Sequence, residues 1–265
     1  MRELEVIQQA GSLKVLVIGD SCIDEFVYGS CERLSPEAPV PVLKMSRITF
    51  MPGMAGNVTE NVTAFTKNVE LMCQFEEIKK TRYVDSRSNQ HIMRFDIEPS
   101  DIKPAYLSTS KISRDIRNGK FDLVIISDYD KGFLNRRQVI SLTSRLADGM
   151  KLYVDTKKKD VGCYQNSFIK LNERESMVSG DTLHDTSSLI TTLGPNGSRY
   201  EENNYPSKKV DVFDVSGAGD TFLATFAIFH VITKDIPGAI SFANKCSSIV
   251  VQKQGTYAIK RDDLS

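Results

Sequence analysis

The sequence predicts an α/β protein: a doubly wound, mostly parallel sheet flanked by helices, with a small β lid inserted beside it. Three observations predict it. Short apolar, β-branched runs recur along the chain, and they are apolar throughout instead of alternating, as strands buried on both faces are. Longer segments of helical or looped character separate them, and strands alternating with helices build a parallel sheet. Two stretches break the rhythm with intermixed Pro, Val, Tyr and charged residues, as extended and partly exposed chain does.

The first strand is read at Lys14-Val15-Leu16-Val17-Ile18-Gly19. The lid is expected from segments at about 33–52 and 80–97, clearest at Pro36 to Arg47 and Thr81 to Asp96. Sheet strands resume at Phe121 to Ser127, Lys151 to Asp155, Phe168 to Asn172 and Leu189 to Gly194. Folds of this kind bind ligands at the carboxyl ends of their strands. Asp20, Asp128, Asp155, Asn172 and Gly194 all stand at such ends. No internal repeat, low-complexity segment or long linker intervenes, so a single domain over 1–265 carrying the lid is expected.

Lys plus Arg and Asp plus Glu are both 34, so the net charge is zero and nothing suggests a nucleic-acid or acidic-membrane partner. The five cysteines (Cys22, Cys31, Cys73, Cys163, Cys246) form no CxxC pair, and reduced thiols in a cytoplasmic protein are expected. The start, Met1-Arg2-Glu3-Leu4-Glu5, is too charged for a secretion signal. The longest apolar run, around Phe222 to Ile232, is too short to span a bilayer. His91, His184 and His230 share no metal-ligand spacing, and His230 is expected in the core.

The segment richest in chemistry is Asp214-Val215-Ser216-Gly217-Ala218-Gly219-Asp220, which leads into an apolar helix candidate from Phe222 to Phe229. Glycines before a helix let the backbone turn tightly and expose several N–H groups. Those groups and the helix dipole suit charge developing on a transferring phosphoryl group. Asp220, in the first turn, is placed to take a proton from an attacking hydroxyl, and Asp214 to organise a cation or the loop itself. On spacing alone, a glycine turn that merely starts a buried helix reads equally well.

That segment resembles the signature of the ribokinase (PfkB) family of carbohydrate kinases, and the resemblance extends over nearly the whole chain. Within the family the chain is similar to the kinase domain of bacterial ADP-heptose synthesis proteins, which phosphorylate D-glycero-β-D-manno-heptose 7-phosphate at O1. Gly19 to Asp24 with Tyr28-Gly29, Ser35 to Val42, Arg87 with Asn89-Gln90, Arg94-Phe95-Asp96, Ser127 to Tyr129 with Lys131-Gly132, and Gly255-Thr256 carry that closer likeness.

The resemblance implies a ribokinase-like fold, ATP and Mg²⁺ as cofactors with room for a monovalent cation, a sugar phosphate as substrate, and a homodimer through the lid. Carried over by position, Asp220 is the catalytic base, and Gly217, Ala218 and Gly219 form the anion hole. Asn172 and Glu175 match the N-x-x-E motif that organises Mg²⁺ through its waters. Thr192, Gly194 and Gly197 match a nucleotide-side loop, joined by Asp214, and Asn244 lies on the helix that flanks adenine. Asp24, Gly53 and Asn57 face the sugar, while Arg87, Arg94 and Lys131 are candidates for a phosphate on it or for lid salt bridges. Lys157 is a candidate for the ATP phosphates.

The chain departs from the pattern at three points. The family's diglycine reads Gly53-Met54, so a bulky side chain is expected where backbone meets sugar, with altered sugar fit. The stretch between Ala64 and Lys80 is short and expected to lack the strand and helices usual there. Glu175 to Leu189 is also abbreviated. The nucleotidyltransferase domain of the bifunctional heptose proteins has no counterpart in these residues, so the kinase step alone is expected.

Overall fold

The computed structural model describes residues 3–105, 111–147 and 149–264, which leaves Met1 and Arg2 of the charged start outside. Its elements run α1 (Glu3–Ala10), β1 (Val15–Gly19), β2 (Ser21–Leu34), β3 (Pro41–Met54), α2 (Ala55–Thr63), β4 (Val69–Met72), β5 (Lys79–Asp85), β6 (His91–Ile97), α3 (Lys111–Arg117) and β7 (Leu123–Asp128). Then follow α4 (Arg136–Thr143), β8 (Leu152–Thr156), β9 (Ser167–Asn172), α5 (Glu173–Ser179), β10 (Ser188–Thr192), β11 (Ser198–Tyr200), β12 (Asn203–Tyr205), α6 (Ala218–Thr233) and α7 (Ile236–Val250).

Every residue of β1, β7 and β8 is buried, because their alternate side chains feed two separate cores. Val15, Val17, Leu123, Ile125, Tyr153 and Phe168 pack with α1, α2, α6 and α7 on one face. Leu16, Ile18, Val124, Ile126, Leu152 and Val154 pack with α3 and α4 on the other. The eight-stranded sheet has the order β12-β11-β10-β9-β8-β7-β1-β4. It is parallel from β4 to β10, and the terminal β10-β11-β12 pairs are antiparallel. From β1 the chain first reaches β4 on one side and later β7 on the other, so the strand order switches beside β1. A crevice opens at the carboxyl ends of the strands flanking such a switch.

The lid is a four-stranded sheet of order β3-β2-β5-β6. It is larger than expected: β2 starts at Ser21, directly after β1, and pairs with β3 from Ser21↔Met54 to Leu34↔Pro41. The polar residues Asp24 and Glu25 hide that strand in the sequence, although Asp24 is itself buried. The expected loss of a strand between Ala64 and Lys80 is also corrected. The four-residue β4 pairs with β1 at the sheet edge, where one row of partners suffices and a glutamate is tolerated. Between Glu175 and Leu189 lie the end of α5 and a 3₁₀ turn, Gly180–Thr182.

The helix α6 is buried from Asp220 to His230 without a polar face, as a helix enclosed by sheet and other helices is. His230 is a core residue: it shares a hydrogen bond of 2.7 Å with the Tyr153 hydroxyl and stacks on Phe226. No helix among the described residues is long and apolar enough to cross a membrane.

Candidate active site

Gly217 caps the N-terminus of α6 in the left-handed conformation, with φ 81°. A Cβ on it would lie 2.6 Å from Asn57 Nδ2, so only glycine allows both the turn and the contact. Asp214 closes the loop before it. Its Oδ1 accepts the Ser216 N–H at 2.8 Å, and its Oδ2 accepts the Gly255 N–H at 3.2 Å. Of the two roles open to Asp214, the geometry displays the loop-organising one. Among the three expected amide donors, Ala218 N–H is turned to Val215 O at 3.3 Å.

Asp220 follows in the first turn of α6 and is 4% exposed. Its Oδ2 accepts from Asn57 Nδ2 at 2.8 Å, and its Oδ1 from the Tyr129 hydroxyl at 3.3 Å. Burial pushes its carboxyl up to about 6; the Asp155 charge adds to this, and Asn57, Lys170 and Tyr129 oppose it. A carboxyl in that range is ionised at neutral pH yet basic enough to accept a proton.

Beside Asp220 runs a chain of charges at the ends of β8 and β9. Lys170 Nζ donates to Asp155 Oδ2 at 2.5 Å, Lys157 Nζ lies 3.6 Å from Asp155 Oδ1, and Lys157 also donates to Glu175 Oε1 at 2.5 Å. Asn172 and Glu175 form a capping box on α5. Asn172 Oδ1 accepts the Glu175 N–H at 2.9 Å, and Glu175 Oε2 accepts the Asn172 N–H at 2.8 Å. The N-x-x-E motif is therefore first a helix cap, and it brings Glu175 onto Lys157.

The donor set fits Mg²⁺ held through its waters. Asp155 Oδ1 is buried without a hydrogen-bond partner, and Glu175 adds a second hard oxygen donor. Among the described residues no cluster of three or more acidic, His or Cys side chains forms a full cage. Mg²⁺ keeps several waters and takes further ligands from phosphates.

On the lid side, Asp24 is 4% exposed and accepts from Arg82 Nη1 at 2.5 Å and from the Thr256 hydroxyl at 3.0 Å. Gly53 makes this possible, since a Cβ there would lie 2.3 Å from Asp24 Oδ2. Register puts Asp24 opposite Lys80, and Lys80 opposite Asp96; Arg82 stands opposite Arg94. One lid face thus carries Asp24, Lys80, Arg82, Arg94 and Asp96. Lys80 lies 5.1 Å from the Tyr129 ring centroid and Lys157 lies 5.3 Å from it, so the ring is flanked by a lid cation and a sheet cation.

Of the two roles open to Arg87, Arg94 and Lys131, the chain displays the salt-bridge one. Arg94 shares the charged lid face but is held by Asp96 through bonds of 2.7 and 2.6 Å. Lys131 Nζ donates to Glu98 at 2.6 Å, while its backbone N–H reaches Asp20 Oδ2 at 3.3 Å. Arg87 is not brought to the site within the chain: it is exposed beyond the end of β5 and paired with Glu32. Asp85, just before it, lies five residues past Lys80, roughly 17 Å along an extended strand.

Asn244 is buried on α7. Its Nδ2 donates to Tyr205 O at 2.9 Å and to Ser198 Oγ at 3.1 Å, tying the β11–β12 hairpin to α7. That hairpin follows the loop of Thr192, Gly194 and Gly197. Thr192 donates to Leu171 O at 3.3 Å, and Gly194 and Gly197 have positive φ.

Met54 is the clearest correction. Its backbone takes φ 57° and ψ −130°, a region natural to glycine, but its side chain is 3% exposed and packs in the core with Leu16, Ile18 and Ile78. The bulk goes into the core and away from the lid face.

The residues missed from the sequence are Tyr129, Lys80, Arg82, Lys170 and Asn61. A lone lysine inside the buried run Phe168-Ile169-Lys170-Leu171 was a readable signal, since a buried cation needs an anionic partner. The others depend on strand register and helix contacts, which no local pattern displays.

Comparison with known proteins agrees with this arrangement. Residues 170–263 match the pfkB family of carbohydrate kinases. The chain is 31% identical over 300 aligned positions to the bifunctional protein HldE of Pseudomonas fluorescens, covering 94% of this chain and 62% of that protein. It thus spans about three-fifths of the length of the curated relatives it matches. The phosphofructokinase-2 of Escherichia coli, solved in complex with potassium, superposes with a TM-score of 0.70 at 13% identity, covering 95% of this chain and 96% of that one. The ribokinase of Arabidopsis thaliana, complexed with ribose and ATP, superposes with a TM-score of 0.65 at 15% identity, covering 95% and 97%. The chain thus has a ribokinase-like sheet and lid, and its residues 170–263, with Asp220 at the head of α6, match the pfkB family of carbohydrate kinases.

Proposed function

We propose that this chain transfers the γ-phosphoryl group of ATP to a hydroxyl of a phosphorylated sugar, with O1 of D-glycero-β-D-manno-heptose 7-phosphate as the acceptor. The observation that carries the reading is Asp220, a buried and oriented carboxylate between the amide-rich head of α6 and a lid face bearing Asp24, Lys80 and Arg82. Asp220 takes the proton of the attacking hydroxyl, whose position Asp24 and Asn57 set by hydrogen bonds. The amides of Gly217 and Gly219 face the charge of the transferring group, while that of Ala218 is spent on Val215 O. Lys157, Asn172 and Glu175 stand toward the triphosphate. Mg²⁺, when bound through water near Glu175 and Asp155, neutralises phosphate charge.

The sugar phosphate is favoured over a free sugar by the cations Lys80, Arg82, Arg94 and Lys131 at the lid and its base, and by the likeness to HldE. The same reading has the lid of a single kinase domain excluding water during transfer. It also has the lid pairing with a second copy through its outer face, where Ile48, Phe50, Met93, Phe95 and Ile97 are exposed together. Free cysteines suit a cytoplasmic setting.

A screen of ATP consumption over heptose 7-phosphate, hexose phosphates and free sugars tests the assignment. Turnover confined to phosphorylated sugars and greatest with the heptose supports it. Equal or better turnover of a free sugar or nucleoside overturns the substrate, and MgATP binding without turnover of any acceptor overturns the kinase activity.

A further inference from the structure

We infer that Asn61, one helical turn beyond Asn57, is a positioning residue that fixes which way the Asn57 amide faces and thereby aims its donor at Asp220. This rests on the reading of Asp220 as the base. Asn61 is completely buried, and all its hydrogen-bonding capacity is used. Its Oδ1 accepts the Ile259 N–H at 3.0 Å and the Thr221 hydroxyl at 2.8 Å. Its Nδ2 donates to the Asn57 backbone carbonyl at 2.8 Å and to Asn57 Oδ1 at 3.3 Å.

The orientation follows from one unambiguous donor. A backbone N–H can only donate, so the Ile259 N–H requires the oxygen of Asn61 on its side. The Asn61 NH₂ is then forced toward α2, where it meets Asn57 O and Oδ1. With its oxygen engaged by Asn61, Asn57 has only its NH₂ to present to Asp220 Oδ2, at 2.8 Å. Turned the other way, Asn57 would set an amide oxygen against the carboxylate. That would raise the cost of ionising the base and remove a donor from the acceptor hydroxyl. Through Asn61 the C-terminal segment at Ile259, the helix α2 and the first turn of α6 are locked into one relay ending on the carboxylate. Thr221, next to Asp220 in sequence, closes it from the other side.

The test compares wild type with Asn61→Asp, a near-isosteric change that keeps an acceptor for Ile259 and Thr221 but replaces the donor facing Asn57 with an oxygen. Asn61→Ser, which cannot span to Asn57 Oδ1, is the second variant. MgATP binding and cooperative unfolding serve as fold controls, and if one variant fails them the other decides. The first readout is the titration of the Asp220 carboxyl, followed by ¹³C NMR and assigned with Asp220→Asn; it requires no turnover. The inference predicts an upward shift of about one pH unit, the size of one hydrogen bond to a charged group. With an acceptor sugar from the substrate screen, kcat falls roughly 10-fold to 100-fold, with the acidic limb of kcat/KM moving in parallel. An unchanged Asp220 titration in a folded variant overturns the inference. A wild-type chain inactive on every sugar counts against the proposed function instead, and the titration still tests the relay.

Discussion

The Tyr129 hydroxyl meets Asp220 Oδ1 at 3.3 Å, inside a site where burial has already pushed the Asp220 carboxyl up to about 6. The relationship sets the pH behaviour of the reaction. Only ionised Asp220 can accept the hydroxyl proton, so kcat/KM should fall as pH drops through about 6 and be level above it. Tyr129→Phe removes a donor that favours the carboxylate, so its acidic limb should lie at higher pH than that of wild type. Parallel pH profiles of kcat/KM for the two proteins check this.

Arg82 holds the buried carboxylate of Asp24. Arg82→Ala leaves that charge without its cation, and breaking a buried pair from one side costs about 3 to 5 kcal/mol. Urea unfolding should show that loss, and the sugar KM should rise while the ATP KM stays near wild type. In the double variant Asp24→Ala/Arg82→Ala the loss should be smaller than the sum of the single losses, because the stranded charge is gone.

Met54→Gly sets two effects against each other. The left-handed backbone at Met54 costs about 1 to 3 kcal/mol that glycine relieves. Removing the buried side chain loses roughly 2 to 5 kcal/mol of core packing, and glycine adds freedom to the unfolded chain. The core loss should win by about 1 to 2 kcal/mol in urea unfolding. The sugar KM should not change, since the side chain points into the core.

His230 gives stability its own pH dependence. Burial holds its folded pKa down to about 4, against 6.5 when unfolded. Between those values the unfolded chain binds a proton that the folded chain does not, so this contribution is full above 6.5 and is lost as pH falls toward 4. Asp220 and Asp20 have raised carboxyl values near 6 and act with the opposite sign. The His230 effect is therefore read as a difference. From pH 7 to pH 5, wild type should lose about 2 kcal/mol more than His230→Phe in urea unfolding.

The sheet was legible because β1, β7, β8 and most of β9 are buried on both faces and leave uninterrupted apolar runs. The lid was legible only in part. Its first strand buries Asp24 against Arg82, a pairing between strands 58 positions apart that makes a buried residue look like a loop residue. Asp220, Gly217 and Asn57 came from motif likeness, and the contacts among them from the meeting of α2 with α6. Met54 misled because the missing glycine says that a side chain is present, not which way a left-handed backbone turns it. Asn244 spends its polarity on a hairpin that packs behind it, a contact that no local pattern displays.

The most direct measurement is ³¹P NMR of the chain with MgATP and D-glycero-β-D-manno-heptose 7-phosphate, run beside Asp220→Asn. Wild type should release ADP and form one sugar bisphosphate per ATP consumed. Asp220→Asn should bind MgATP normally and turn over at least about 10²-fold more slowly. Bisphosphate formation by Asp220→Asn at the wild-type rate would contradict the account.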